Sequence, residues 1–226
     1  MQPTPSAPIF RPIAERAVLV EFGTALDQAA HAAVLHLDQA LAATPCTGFR
    51  ESVPAFVNLL VEFDPLITDH PTVIAHLRGL LIVKTTASAQ PTQREVSVCY
   101  EDSPDLAAVA EATGLPPEAV ITAHLSGDYA VAMYGFAPGY AYLGGVPEAI
   151  RLDRKPAPVR GVAAGSVIIA GAQCLITTLV MPTGWWIIGR SPTRILTADP
   201  AHPFLFDVGD NVRFRRISRA EYEAAQ

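Results

Sequence analysis

The chain has 226 residues, half of them hydrophobic and only 17% charged, with a mean hydropathy of +0.27; disorder, which needs low hydrophobicity and high net charge, is excluded for the chain as a whole. Sixteen Lys plus Arg against 22 Asp plus Glu leave a net charge of −6, which excludes the basic footprint of a nucleic-acid binder. Cys46, Cys99 and Cys174 are an odd number at irregular spacing, supporting neither a disulfide framework nor a zinc site, and the Pro-rich first residues lack a signal-peptide pattern; the expected compartment is the cytoplasm.

In chain order, the apolar run 17–22, closed by Gly23, predicts a strand. Thr24 or Asp27 can cap a helix whose Ala30, Ala33, Val34, Leu37 and Leu41 follow three-and-four spacing, and Pro45 ends it. Residues 48–53 and 55–63 read as two strands parted by Pro54. Asp69, His70 and Pro71 open a second helix with Val73, Ile74, Leu77, Leu80 and Leu81 on its buried face. With 95–100 as a possible final strand, the order is β-α-β-β-α-β, that of a ferredoxin-like α+β domain over residues 1–84. The small, polar segment 85–94 reads as a linker to a second domain, 95–226.

That second domain begins with two short helices, started by Ser103-Pro104 and by Pro116-Pro117, the latter running to His124. From 128 to 217 short apolar runs recur between Gly and Pro signals, as in a barrel or sandwich. Residues 162–189 carry no charge and would be long enough to cross a bilayer. Gly165, Gly171, Pro182 and Gly184 punctuate them, however, so strands and turns are expected and no membrane span.

Several residues have the chemistry of a site. A loop built on Gly135, Pro138 and Gly139 lets backbone approach a ligand closely, and Phe136, Tyr140 and Tyr142 supply apolar surface with polar tips; core packing at a barrel corner would explain the same aromatics. Arg154 and Arg160 can each fork onto a carboxylate or form a surface ion pair. Arg190, in an otherwise apolar segment, is expected to be buried with a partner. His124, at a helix end, can carry a proton near neutral pH or complement the helix dipole. His31 and His36, and His70 and His76, miss the spacing that puts metal ligands on one helix face, so no metal site is expected. Cys174 lacks a cationic neighbour in sequence and reads as an inert core thiol. No phosphate-binding glycine loop of the P-loop or dinucleotide type and no nucleophile elbow is present.

Taken together, the stretch 135–143 (GFAPGYAYL), Arg154 and Arg160, Gly165-Ser166, Gln173, Trp185 and Gly189-Arg190-Ser191-Pro192 resemble the family of allophanate hydrolase subunit 1, the KipI-like proteins that include the B subunit of 5-oxoprolinase. The resemblance covers nearly the whole chain and is most specific from His124 to Ile217. It departs from the family pattern at Asp153 and Val159, where relatives carry proline, at Tyr140 for phenylalanine, and at Thr177-Thr178 and Thr183. It implies a ferredoxin-like domain followed by a cyclophilin-like β-barrel, with His124, Arg154 and Arg160 as catalytic candidates. The substrate-binding candidates are Gly135, Phe136, Pro138, Gly139, Tyr140, Tyr142, Gly165, Ser166, Gln173, Trp185 and Arg190. It also implies a hetero-oligomer with an allophanate hydrolase subunit 2 (KipA-like) protein and a LamB/YcsF-like subunit, opening the small amide 5-oxoproline to glutamate with ATP bound through the complex. Two other activities follow from the same resemblance: carboxyl transfer of the urea carboxylase type, and inhibition of a sensor histidine kinase. Neither Lys84 nor Lys155 lies in a Met-Lys-Met setting, so no biotin attachment site is expected in this chain.

Overall fold

The computed structural model describes residues 7–25, 27–82, 91–101 and 103–226. The chain divides into two compact units, Met1–Gln90 and Pro91–Gln226. Residues 85–90 of the expected linker lie outside the described residues, while its last two, Gln93 and Arg94, already belong to a strand.

The first unit runs β1 (Ile9–Ile13), β2 (Ala17–Glu21), α1 (Gln28–Ala43), β3 (Phe49–Pro54), β4 (Asn58–Phe63) and α2 (His70–Ile82). Asp27 caps α1 by accepting from the Ala30 N–H at 2.9 Å, which satisfies one of the free donors of the first turn. The spacing of Val34, Leu37 and Leu41 then turns one stripe of α1 onto Val18, Val20, Leu59, Val61 and Phe63, with Val73 and Leu77 of α2 in the same core. The sheet is antiparallel in the order β1-β2-β4-β3. Its outer strand is β1 and not residues 95–100, so the expected β-α-β-β-α-β arrangement is corrected to β-β-α-β-β-α. Pro12 hides β1 from a propensity reading; a proline that cannot donate to a ladder is tolerated on an edge strand.

The second unit contains β5 (Gln93–Val98), α3 (Leu106–Thr113), α4 (Pro117–Leu125), β6 (Tyr129–Tyr134), β7 (Ala141–Gly144) and a 3₁₀ turn at Glu148–Ile150. There follow β8 (Val159–Val162), β9 (Ser166–Ala170), β10 (Gln173–Ile176), β11 (Met181–Thr183), β12 (Trp186–Arg190), β13 (Asn211–Arg216) and α5 (Arg219–Ala224). The uncharged run 162–189 is thus strands and turns, and no helix among the described residues is long and apolar enough to cross a membrane. Seven strands form one sheet in the order β12-β9-β10-β7-β6-β13-β5, and β8 pairs with β11 in a separate ribbon.

Strand β5 lies parallel to β13, with Val96 opposite Phe214. That pairing is why 95–100 is unavailable to the first sheet. At the other end of the seven strands, an antiparallel bridge between Cys99 and Arg190 brings the chain just after β5 back to β12, leaving a nearly closed, barrel-like sheet. The closure needs Gly189, because a Cβ there would sit 2.6 Å from Val98 Cγ1 and 3.2 Å from the Cys99 carbonyl oxygen.

Strand alternation sorts the apolar residues of β9 and β10 into two cores. Val167, Ile169, Cys174 and Ile176 pack with Val109 of α3 and Val120 and Ile121 of α4. Ile168, Ala170 and Leu175 face the other way and pack with Tyr140, Val162, Trp185 and Ile187. The second core is the floor of the candidate site.

Candidate active site

The aromatic loop is the connection of the β6–β7 hairpin, whose last pair is Tyr134 opposite Ala141. Ala137, Pro138, Gly139 and Tyr140 form a β-turn closed by a 3.1 Å bond from the Tyr140 N–H to the Ala137 carbonyl, with proline and a positive-φ glycine (+74°) in its two central positions. Immediately before it, the Ala137 N–H donates to the Gly135 carbonyl at 2.8 Å and forces Phe136 to φ +69°, a strained three-residue turn. The turn presents the Phe136 ring to solvent, 72% exposed. Thr178 ties the loop down by donating its hydroxyl to the Pro138 carbonyl at 2.6 Å.

Under this loop opens a cleft of about 170 Å³. Its wall is aromatic: Tyr142 meets Trp185 edge-on with centroids 5.8 Å apart, and Phe136 lies 5.8 Å from Tyr140. The Arg154 guanidinium stands 5.8 Å over the Trp185 ring at the cleft's edge and has no acidic partner among the described residues. Met181, Pro182 and Thr183 of β11 line the opposite side. Burial raises the pKa of Tyr140 and Tyr142, so both phenols are neutral hydrogen-bond donors at physiological pH. Among the described residues, no Asp, Glu, His, Cys or Lys lines the cleft. It can bind and orient a ligand, but it contains no group able to abstract a proton near neutral pH.

A second cleft, of about 310 Å³, shares Thr177 with the first and is lined by Gly165, Ser191, Thr193, Arg194 and Leu196, with Tyr222 of α5 at one side. Gly165 adopts φ +80°, and a Cβ at that position would meet the Ser191 carbonyl oxygen at 2.5 Å. The glycine is therefore what lets the turns before β9 and after β12 cross, tied by the Ser191 N–H to Gly165 carbonyl bond at 2.7 Å.

Of the residues singled out in the sequence, Phe136, Tyr140, Tyr142, Arg154 and Trp185 come together in the first cleft, and Gly135, Pro138 and Gly139 shape its loop. Gly165 belongs to the second. Ser166 is buried and structural, its hydroxyl donating to the Ala163 carbonyl. Gln173 lies opposite Gly144 and Ala170 and lines neither cleft. Arg160 projects from β8, exposed and outside both clefts.

Two expectations need correction. Arg190 is exposed and not buried with a partner; only its backbone serves the fold, in the bridge to Cys99. His124 is wholly buried between α4 and the sheet: Nδ1 meets the Tyr100 hydroxyl at 2.7 Å, Nε2 the Cys174 sulfur at 3.6 Å, and the ring lies tilted against Phe214 with centroids 4.5 Å apart. Burial pushes its pKa down to about 3, so it stays neutral and carries no proton to a ligand. The helix itself carries the signal, since Val120, Ile121 and His124 share one face. Burial likewise raises the pKa of the Cys174 thiol and leaves it unreactive. Among the described residues, no group of three or more His, Cys, Asp or Glu side chains is placed to hold a metal ion.

A carboxyltransferase domain, subdomains C and D, matches residues 8–206. The chain belongs to this carboxyltransferase-domain family. Among curated relatives, it is 33% identical over 234 residues to the B subunit of 5-oxoprolinase from Bacillus subtilis, covering 94% of each chain, and 34% identical to the protein of the same name from Escherichia coli O157:H7, covering 89% of this chain and 93% of that one. Among solved structures, it matches TTHA0988 at a TM-score of 0.81 and 35% identity over 90% of this chain. It spans only 40% of TTHA0988, which carries a large further stretch of polypeptide. The urea carboxylase of Kluyveromyces lactis shares the fold over 96% of this chain and 22% of its own, at a TM-score of 0.72 and 18% identity. The carboxyltransferase-domain match stops short of β13 and α5 but takes in most of both units, and with them the aromatic loop and the first cleft.

Proposed function

We propose that the chain is the B subunit of an ATP-dependent 5-oxoprolinase, a hydrolase that opens the lactam of 5-oxoproline to glutamate. The observation that carries this reading is the similarity, over 72–94% of this chain, to relatives bearing that subunit's name. The cleft suits the substrate class. The Trp185 and Tyr142 rings give a small saturated ring an apolar seat, and the unpaired Arg154 guanidinium offers a fork to its carboxylate. The neutral phenols of Tyr140 and Tyr142 offer hydrogen bonds to a lactam carbonyl.

Among the described residues the cleft has no Asp, Glu, His, Cys or Lys, and the chemistry that it lacks is assigned to the rest of the complex: a subunit 2 (KipA-like) partner, with a LamB/YcsF-like third subunit, supplies the ATP site and the proton transfers. The reading includes no biotin attachment to this chain, as the sequence setting of its two lysines predicts. Lys155 is held against Asp105 at 2.6 Å with its side chain 10% exposed, and Lys84 lies outside the described residues. The test is reconstitution. The three subunits together hydrolyse ATP in response to 5-oxoproline, and the purified chain alone does not. Turnover by the chain alone, or a complex that transfers carboxyl from carboxybiotin and ignores 5-oxoproline, overturns the reading.

A further inference from the structure

From Arg154 to Ala198 the sequence contains no Asp or Glu, although the chain as a whole has a net charge of −6. The run holds Arg154, Lys155, Arg160, Arg190 and Arg194. Among the described residues only Lys155 is neutralised, by Asp105. Elsewhere most arginines find acids, as Arg94 does with Asp210, Arg215 with Glu95 and Arg216 with Glu118, whereas Arg78, Arg151 and Arg213 form no ion pair among the described residues. Arg160, Arg190 and Arg194 make no side-chain hydrogen bond or ion pair among the described residues and are exposed. Positive charge is thus gathered in this stretch of the second unit without ion pairs among the described residues, although Arg190 lines a cleft together with Glu101 and Glu223.

The same part carries exposed apolar side chains. Phe136 is 72% and Val180 70% exposed, with Val159, Leu179 and Leu196 each about two-fifths exposed. They are contiguous through the fold. The aromatic loop abuts Thr178 and Leu196, Thr178 leads through Leu179 and Val180 into β11, and β11 pairs Thr183 with Val159 of β8, next to Arg160. A contiguous apolar patch rimmed by unpaired charge marks an interaction surface rather than solvated exterior. Phe136 adds a further sign, since a strained backbone that pushes a phenylalanine into water is retained only where that ring is used.

We propose that this face, formed by the 135–139 loop, the β8–β11 ribbon and the 190–196 segment, docks a second protein chain that presents carboxylates around an apolar centre. Charge complementarity selects the occupant. A second copy of this chain in a two-fold contact would set arginines against their own equivalents, which is repulsive. A membrane surface is flat, whereas two clefts indent this face. The inference rests on the reading of the chain as one subunit of a complex and adds where the partner sits: over the open side of the aromatic cleft, completing it.

The experiment measures the affinity of the chain for the separately purified subunit 2-like protein, by calorimetry, across a salt series. Arg160→Glu, Arg194→Glu and Val180→Asp are compared with the parent and with Arg213→Glu on β13, which lines neither cleft. The parent binds with an affinity that falls as salt rises. Each face variant weakens binding about tenfold or more, while the β13 variant binds like the parent. Thermal melts show that these exposed substitutions leave the fold intact. If the face variants bind like the parent, the docking face is overturned and the subunit reading stands. If the parent does not bind the partner at all, both fall. Binding of the parent to phosphatidylserine vesicles that is lost in the face variants, with partner affinity unchanged, also overturns the proposal.

Discussion

Cys99 and Arg190 exchange both of their backbone hydrogen bonds, N–H to carbonyl in each direction at 2.8 Å, and this single pair joins the two ends of a seven-stranded sheet. The bridge works only because the residue before Arg190 has no side chain. Gly189→Ala is expected to destabilise the chain by about 1–3 kcal/mol, the usual cost of overpacking a filled site. Gly79→Ala is expected to do the reverse, gaining about 0.5–1 kcal/mol, because Gly79 lies within α2 with nothing near its missing Cβ. Urea denaturation of both variants checks the contrast; equal effects would mean that Gly189 is not needed for closure.

Arg154 and Arg160 separate by position, one over Trp185 in the cleft and the other outside it. Arg154→Lys replaces a planar fork with a point charge and forfeits one charge-assisted hydrogen bond worth about 1.5–3 kcal/mol. KM for 5-oxoproline in the reconstituted complex should rise about tenfold or more, while Arg160→Lys leaves KM where it was. A matching rise in both variants would refute the assignment of the substrate carboxylate to Arg154.

His124 titrates at about 3 in the folded chain against an ordinary value of 6.5, so between those limits the unfolded state binds the extra proton. Stability from this residue is fully present above pH 6.5 and is lost as pH falls, by about 1.4 kcal/mol per pH unit, until the folded pKa is reached. His124→Gln, which keeps a hydrogen-bonding group near Tyr100, should show a shallower stability slope between pH 6.5 and 4.5 by about that amount. Parallel slopes would show that the buried histidine does not govern acid sensitivity.

The Asp105 carboxylate does not cap α3, although it stands at the capping position; one oxygen takes the Lys155 ammonium at 2.6 Å and the Ile187 N–H at 2.7 Å. Asp105→Asn strands a nearly buried lysine and is expected to cost about 3 kcal/mol. Adding Lys155→Met should recover most of the loss, measured as the midpoint of chemical denaturation. A double variant no more stable than the single one would place the cost elsewhere, in the bond to β12.

What is legible in the sequence is what is local. Three-and-four spacing finds α1 and α2, the Asp27 cap included, because one residue's neighbours decide those features. The alternation of Glu95 to Val98 reveals a strand but not its partner, which lies more than a hundred residues away in β13. Chain order alone therefore assigns residues 95–100 to the wrong sheet. At the site, aromatics and Arg154 stand out as residue types in a recognisable stretch. Met181 and Arg194 do not, since only the crossing of turns brings them to the clefts.

The parallel pairing of β5 with β13 also bears on how the chain is made. The strands of the first sheet all lie between Ile9 and Phe63, and they can pair while most of the protein is still being synthesised. Strand β5 leaves the ribosome early but has no neighbour until Asn211–Arg216 follows. During that interval it is an unpaired edge, exposed to association with other nascent chains. Truncations that remove β13 should therefore drive the second unit into aggregates while leaving the first able to fold.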